Sequence, residues 1–110
     1  MAAERIDVAT AREMWRAGDV FVDVRDPEEY ARGHVSGAVN VPLGKLPGVV
    51  HDLPEGQVIT LCSMGGRAAR AATQLDAMGR TAFSIEGGTK AWAAAGLPVA
   101  VGPAPGKRKG

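Results

Sequence analysis

Residues 58–79 read VITLCSMGGRAARAATQLDAMG. The first four are apolar or β-branched, the composition of a strand buried on both faces. From Gly65 the pattern changes, and GGRAARAATQLDAMG predicts a helix with Ala69, Ala72, Leu75 and Met78 along one face. A strand that runs through a glycine pair into a helix is half of a βα unit. Cys62, the single cysteine of the chain, stands at the junction.

The flanking segments repeat the alternation. Downstream, TAFSIE (81–86) predicts a strand, GGTKAWAAAG (87–96) a glycine turn and short helix, and LPVAV (97–101) an edge strand. Upstream, QVITL (57–61) follows LGKLPGVVHDLPEG (43–56), a loop and short helix broken by Pro54 and Gly56. AVNVP (38–42) predicts a strand stopped by Pro42. In DPEEYARG (26–33), Asp26 caps a short helix, Pro27 suits its first position, Glu29 falls three residues after the cap, and Gly33 ends it. DVFVDVR (19–25) is a β-branched run, and VATAREMWRAG (8–18) a helix with Met14 and Trp15 as core contacts and Gly18 as its stop. Strands alternating with helices predict an α/β fold, a mostly parallel sheet with helices on both faces. In such sheets functional groups gather at the carboxyl ends of strands, which is where Cys62 lies.

A chain of 110 residues with 45% apolar and 23% charged residues fits one domain, assigned to 1–101. GPAPGKRKG (102–110) reads as a disordered basic tail, with Lys107, Arg108 and Lys109 solvated or touching an acidic partner. The formal net charge of +1 gives no electrostatic case for nucleic acid or a membrane surface. One cysteine forms no internal disulfide, and MAAERIDVAT lacks the apolar core of a signal peptide, so the expected compartment is reducing and cytoplasmic. No apolar run approaches the length of a membrane span.

The loop Cys62-Ser63-Met64-Gly65-Gly66-Arg67 carries the chemistry. Two glycines permit backbone conformations that turn successive N–H groups inward, which makes an anion nest. A helix beginning at Gly66 or Arg67 adds its own unpaired N–H groups and the positive end of its dipole. Such surroundings stabilise a thiolate or a persulfide anion without a histidine base. The competing reading is a small buried hydrophobe that happens to precede a helix; the coincidence of glycine pair, Arg and strand-to-helix junction favours the nucleophile. Cys62 is therefore the catalytic candidate, with Ser63, Met64, Gly65, Gly66 and Arg67 as the substrate-binding loop. Arg67 either binds substrate charge or pairs structurally with a carboxylate. Arg70, one turn on, reads as solvated. Asp23 and Arg25 read as a pair that supports the loop. His34 reads as a turn residue, and His34 and His51 have no metal-ligand spacing with Cys62 or acids. Phe83 and Trp92 read as core.

Three blocks, in order, resemble the rhodanese (sulfurtransferase) domain family: FVDVRDPEEYARGHVSGAVNVPL, LCSMGGRAARAA and IEGGTKAWAAAGLPV. They cover most of residues 20–100. The resemblance implies a three-layer rhodanese-like fold with a five-stranded, mostly parallel sheet. It implies that Cys62 takes a sulfane sulfur from a donor such as thiosulfate and passes it to cyanide or a thiol, without metal or organic cofactor. A sulfur-relay protein as donor or acceptor, or a protein-binding module, is the alternative; such modules usually lack the cysteine. Many family loops carry a cation straight after the cysteine, where this chain has Ser63 and Met64, so less positive charge faces a dianionic donor. Ala68 stands where Ser or Thr is frequent. A related phosphatase group, whose chemistry extends to arsenate, has five residues between Cys and Arg; here there are four, Ser63 to Gly66, a smaller ring that suits sulfur better than a tetrahedral phosphate.

Overall fold

The computed structural model describes residues 3–108. The chain runs β1 (Glu4–Ile6), α1 (Val8–Arg16), β2 (Val20–Asp23), α2 (Pro27–Arg32), β3 (His34–Val35), β4 (Val39–Asn40), α3 (Leu46–Val49), β5 (Val58–Leu61), α4 (Gly66–Ala77), β6 (Ala82–Ile85), α5 (Gly88–Ala94) and β7 (Val99–Ala100). Short 3-10 turns at Leu43–Lys45 and Val50–Asp52 flank α3. Five strands form one parallel sheet in the order β1-β6-β5-β2-β4. β5, which carries Cys62 at its carboxyl end, is the central strand.

Alternation along the strands divides the core in two. Val20, Val22, Val58 and Ala82 point to one face, where they meet Leu46 and Val50 around α3 and Ala68, Ala71, Ala72 and Leu75 of α4. Phe21, Ile59, Leu61 and Ile85 point to the other, against Ala11 and Trp15 of α1 and Trp92 of α5. The Trp92 ring meets Trp15 and Phe21 edge-on, with centroids 5.7 and 5.9 Å apart. Each large apolar side chain so buried contributes about 1.5–3 kcal/mol. The result is helix–sheet–helix, three layers, as expected.

Four details differ from expectation. The fifth strand of the sheet is β1, not 97–101; Val99–Ala100 instead pairs antiparallel with His34–Val35 in a separate two-stranded ribbon. On α4 the buried face is Ala68, Ala71, Ala72 and Leu75, while Ala69 is half-buried and Met78 exposed. Alanines at 68, 69, 71 and 72 leave the helical phase open in the sequence, and it is settled by where the loop delivers the helix. His34 lies in β3 rather than in a turn and is fully buried: its ring stacks on Tyr30 with centroids 3.7 Å apart, and Nδ1 lies 2.9 Å from the Tyr30 carbonyl oxygen. The Tyr30 hydroxyl donates to the Ala38 carbonyl, and burial, with the nearby Asp23 charge, pushes its pKa up to about 12.

The fourth difference is the tail. Residues 102–108 lie across the body rather than free of it. The Gly102 N–H donates to the Ala31 carbonyl at 2.7 Å, and the Pro105 carbonyl accepts from Gly37 N–H at 2.7 Å and lies 3.1 Å from His34 Nε2. Arg108 donates to the Trp15 and Asp19 carbonyls, with its guanidinium 5.3 Å from the Phe21 ring centre. A proline-fixed extended backbone costs little entropy to lay down, and the carbonyl dipoles of Trp15 at the end of α1 and of Asp19 just past it attract the cation. Lys107 is exposed, and Lys109 and Gly110 lie outside the described residues.

Candidate active site

The loop after β5 is held from behind so that its amides face inward. The first turn of α5 captures its carbonyls: Thr89 N–H donates to the Cys62 oxygen at 2.8 Å and Lys90 N–H to the Ser63 oxygen at 3.3 Å. That approach needs Gly88, whose φ is +58°; a Cβ there would collide with the Cys62 carbonyl and fall 2.8 Å from the Ser63 oxygen. Gly65 turns the chain into α4 with φ +119°, a conformation costly for any residue with a side chain. Thr60 Oγ1 donates to the Ala68 carbonyl at 2.7 Å and fixes the first turn of α4 against β5.

With the carbonyls tied outward, the sulfur collects N–H groups. Cys62 Sγ accepts from Gly65 N–H at 2.9 Å and from Ala68 N–H at 3.4 Å, and the residue is 2% exposed. Ala68 lacks a hydroxyl, yet its backbone supplies one of the two donors. Met64 is 71% exposed at the rim of the loop. Beside it, a hollow of about 420 Å³ is lined by Arg5, Met64, Gly65, Gly66, Glu86 and Gly87, among others.

Arg67 is paired. Its two terminal nitrogens donate to Glu29 Oε1 at 2.8 Å and Oε2 at 3.0 Å, and Ser63 Oγ lies 3.5 Å from Glu29 Oε2. Glu29 also accepts from the Asp26 N–H at 3.3 Å, so the residue read as a helix-capping acid clamps the loop across 38 positions of sequence. The cap position of Glu29 is legible in the sequence and its second role is not, because nothing local marks a contact at that separation. The Arg67 hydrogen bonds pull the Glu29 pKa down to about 2, and Glu29 in turn raises that of Arg67.

The pair's stabilisation is complete above the ordinary glutamate pKa of 4.5 and is lost as pH falls from there towards about 2. Because the two side chains are 30% and 35% exposed, screening limits its worth to about 1 kcal/mol. Glu29→Gln is therefore expected to be about 1 kcal/mol less stable than wild type at pH 7 and equal to it near pH 2, read from denaturant melts across pH. A deficit that persists undiminished at pH 2 contradicts the pairing.

Asp23 and Arg25, expected to support the loop, form a buried fork. Arg25 Nε and Nη2 donate to Asp23 Oδ1 and Oδ2 at 2.9 and 2.7 Å, and Nη2 also donates to the Gly33 carbonyl at 2.7 Å. Asn40 Nδ2 donates to the Asp23 and Arg25 carbonyls at 3.1 and 2.9 Å. The fork sits one strand from Cys62, with Val24 N–H donating to the Leu61 carbonyl at 2.9 Å. Among the described residues, no three His, Cys, Asp or Glu side chains gather as a metal site.

The thiol accepts from two backbone amides just past the carboxyl end of the central parallel strand. The family model for the rhodanese-like domain matches residues 7–95. The chain belongs to the rhodanese-like family. Among its relatives, thiosulfate sulfurtransferase 16, chloroplastic, of Arabidopsis thaliana is 37% identical over 107 residues, covering 84% of this chain and 89% of that protein. The thiosulfate sulfurtransferase GlpE of Stutzerimonas stutzeri is 35% identical over 92 residues, covering 81% of this chain and 84% of that protein. The crystal structure of a rhodanese-related protein from Thermoplasma volcanium superposes with a TM-score of 0.82 at 28% identity, covering 89% of this chain and 98% of that one. These relatives support a rhodanese-type sulfurtransferase. No helix among the described residues is long and apolar enough to cross a membrane.

Proposed function

We propose that this rhodanese-like domain moves a sulfane sulfur from a small donor such as thiosulfate to cyanide or a thiol, with Cys62 as the carrier. The observation that carries the reading is the pair of N–H donors on Cys62 Sγ, from Gly65 and Ala68. In the loading step the Cys62 thiolate attacks the outer sulfur of thiosulfate. A new S–S bond forms, the old one breaks, and sulfite leaves with its electron pair. The product is a persulfide anion on Cys62. An acceptor then attacks the outer sulfur; with cyanide, thiocyanate departs and the thiolate returns. Amide donors and the start of α4 hold the anion in both states at no cost in reorganisation. A protein donor or acceptor in a sulfur relay uses the same two steps. The reading carries with it a reducing compartment such as the cytoplasm, where a lone thiol stays free.

The four-residue spacing from Cys62 to Arg67 and the occupation of Arg67 by Glu29 speak for sulfur over phosphate. The test is a panel: thiosulfate and cyanide, scored by thiocyanate, against an aryl phosphate. Cys62-dependent thiocyanate with little phosphate release is expected. Cys62-dependent phosphate release with no thiocyanate from any donor reverses the reading. Arg67→Ala belongs in the same panel. With its guanidinium spent on Glu29, equal losses for charged and neutral donors are expected, together with a lower melting temperature. A loss confined to anionic donors makes Arg67 a substrate ligand instead.

A further inference from the structure

Glu29 places both carboxylate oxygens on the cysteine loop. Oε1 accepts from Arg67 Nη1 at 2.8 Å, and Oε2 accepts from Arg67 Nη2 at 3.0 Å and lies 3.5 Å from Ser63 Oγ. Apart from the thiol, Ser63 and Arg67 are the polar side chains of the loop, so one residue of α2 engages both. Met64, Gly65 and Gly66 carry no charge. Arg67 stands within electrostatic reach of the reacting sulfur: Glu29 is the main group that raises its pKa, and the Cys62 charge acts in the same direction.

The fork therefore sets a carboxylate against the one cation of the loop. Its return in stability is small, because the two side chains are 30% and 35% exposed. Its effect on charge is a full unit beside the thiol. What remains for a donor is the set of amide dipoles on Sγ, from Gly65 and Ala68, and the start of α4. Desolvation of an ion rises with the square of its charge, whereas attraction to a fixed dipole rises only in proportion to it. A nest of dipoles without a free cation thus holds a monoanion at less cost than a dianion.

We propose that Glu29 is the specificity-determining residue for the sulfur donor: by holding Arg67 and Ser63 it sets the loop to favour a sulfane group with one negative charge, that of an organic persulfide or thiosulfonate, over a dianion such as thiosulfate. The inference rests on the sulfur-transfer reading above and adds the class of donor. Glu29 does not touch the donor; it is a positioning residue that acts through Arg67. With a thiosulfonate, the Cys62 thiolate attacks the outer sulfur, a new S–S bond forms, the old one breaks, and a sulfinate leaves with its electron pair, with no net oxidation.

The experiment has two arms. In the first, transfer is blocked by Cys62→Ser. Thiosulfate is titrated into C62S, C62S E29Q and C62S E29Q R67Q at fixed ionic strength, and the amides of Gly65, Gly66 and Ala68 are followed by NMR. Methanethiosulfonate, in which a methyl group replaces one charged oxygen, is the monoanionic control. Thiosulfate is expected to bind about three- to tenfold more tightly once Glu29 is neutralised and a partly screened guanidinium is free. Methanethiosulfonate, with half the charge, is expected to gain about the square root of that factor. Both gains are expected to vanish when Arg67 is replaced as well. An affinity unmoved by E29Q, equal gains for the two ions, gains that survive R67Q, or no binding at the loop overturns the proposal. This arm involves no turnover, so it decides the role of Glu29 even if the sulfur-transfer reading fails. In the second arm, Cys62 is intact, cyanide is the acceptor, and kcat/KM is compared for the two donors. Their different leaving groups are common to wild type and Glu29→Gln and cancel in the comparison. The ratio of thiosulfate to methanethiosulfonate is expected to rise about two- to threefold in Glu29→Gln. An unchanged ratio, or a parallel fall for both donors, makes Glu29 a prop for the loop alone and contradicts the assignment.

Discussion

Asp23→Ala is expected to destabilise the fold by about 3–5 kcal/mol, the largest loss of any single polar substitution here. The reason lies in what it leaves behind. Arg25 is 7% exposed and its guanidinium is held by both oxygens of a carboxylate with no exposure at all. Removing the carboxylate strands a buried cation whose remaining side-chain hydrogen bond, among the described residues, is to the Gly33 carbonyl. Attraction between the partners does little more than offset their desolvation, so the pair is not a large source of stability while intact. The double substitution D23A R25M is accordingly expected to be less destabilised than Asp23→Ala alone. Denaturant melts of the three proteins measure the coupling. An Asp23→Ala loss below about 1 kcal/mol, or a double variant at the sum of the singles, means that the charges are solvated. Because Asp23 ends β2 beside Leu61, a weakened fork also loosens the edge from which the Cys62 loop springs.

Cys62→Ser is expected to remove thiocyanate formation to the assay background, a loss of more than about a thousandfold, while leaving the melting temperature within a few degrees of wild type. Serine keeps the small volume and can accept the Gly65 and Ala68 N–H groups that face Sγ. It lacks a sulfur that can carry a second one. Activity that survives the substitution assigns the chemistry to another residue.

The order of strands and helices is legible in the chain because its marks are local. VITL, the glycine pair and the alanine run each declare their element within a few residues, and the placement of Cys62 at a sheet edge follows from them. What was not legible depends on distance. The strand at Glu4–Ile6 has only Ile6 buried, so it shows no alternation to read. The partner of Val99–Ala100 is His34–Val35, some 65 positions earlier in sequence, and no composition rule names it. In Gly102–Arg108, glycine, proline and base describe a polar surface segment, but the carbonyls that hold it belong to Ala31, Trp15 and Asp19. Glu29 illustrates the limit best. Its cap position is visible, whereas its grip on Arg67 exists only once the fold brings Glu29 to the first turn of α4.

The central claim is that Cys62 carries sulfur. Its most direct test is the intact mass of the protein before and after thiosulfate, then after cyanide. A gain of one sulfur atom per chain is expected, absent in Cys62→Ser, and its removal by cyanide with an equal amount of thiocyanate. A folded protein whose mass stays unchanged with thiosulfate and with every other sulfane donor tried, or one that gains the same sulfur without Cys62, contradicts it.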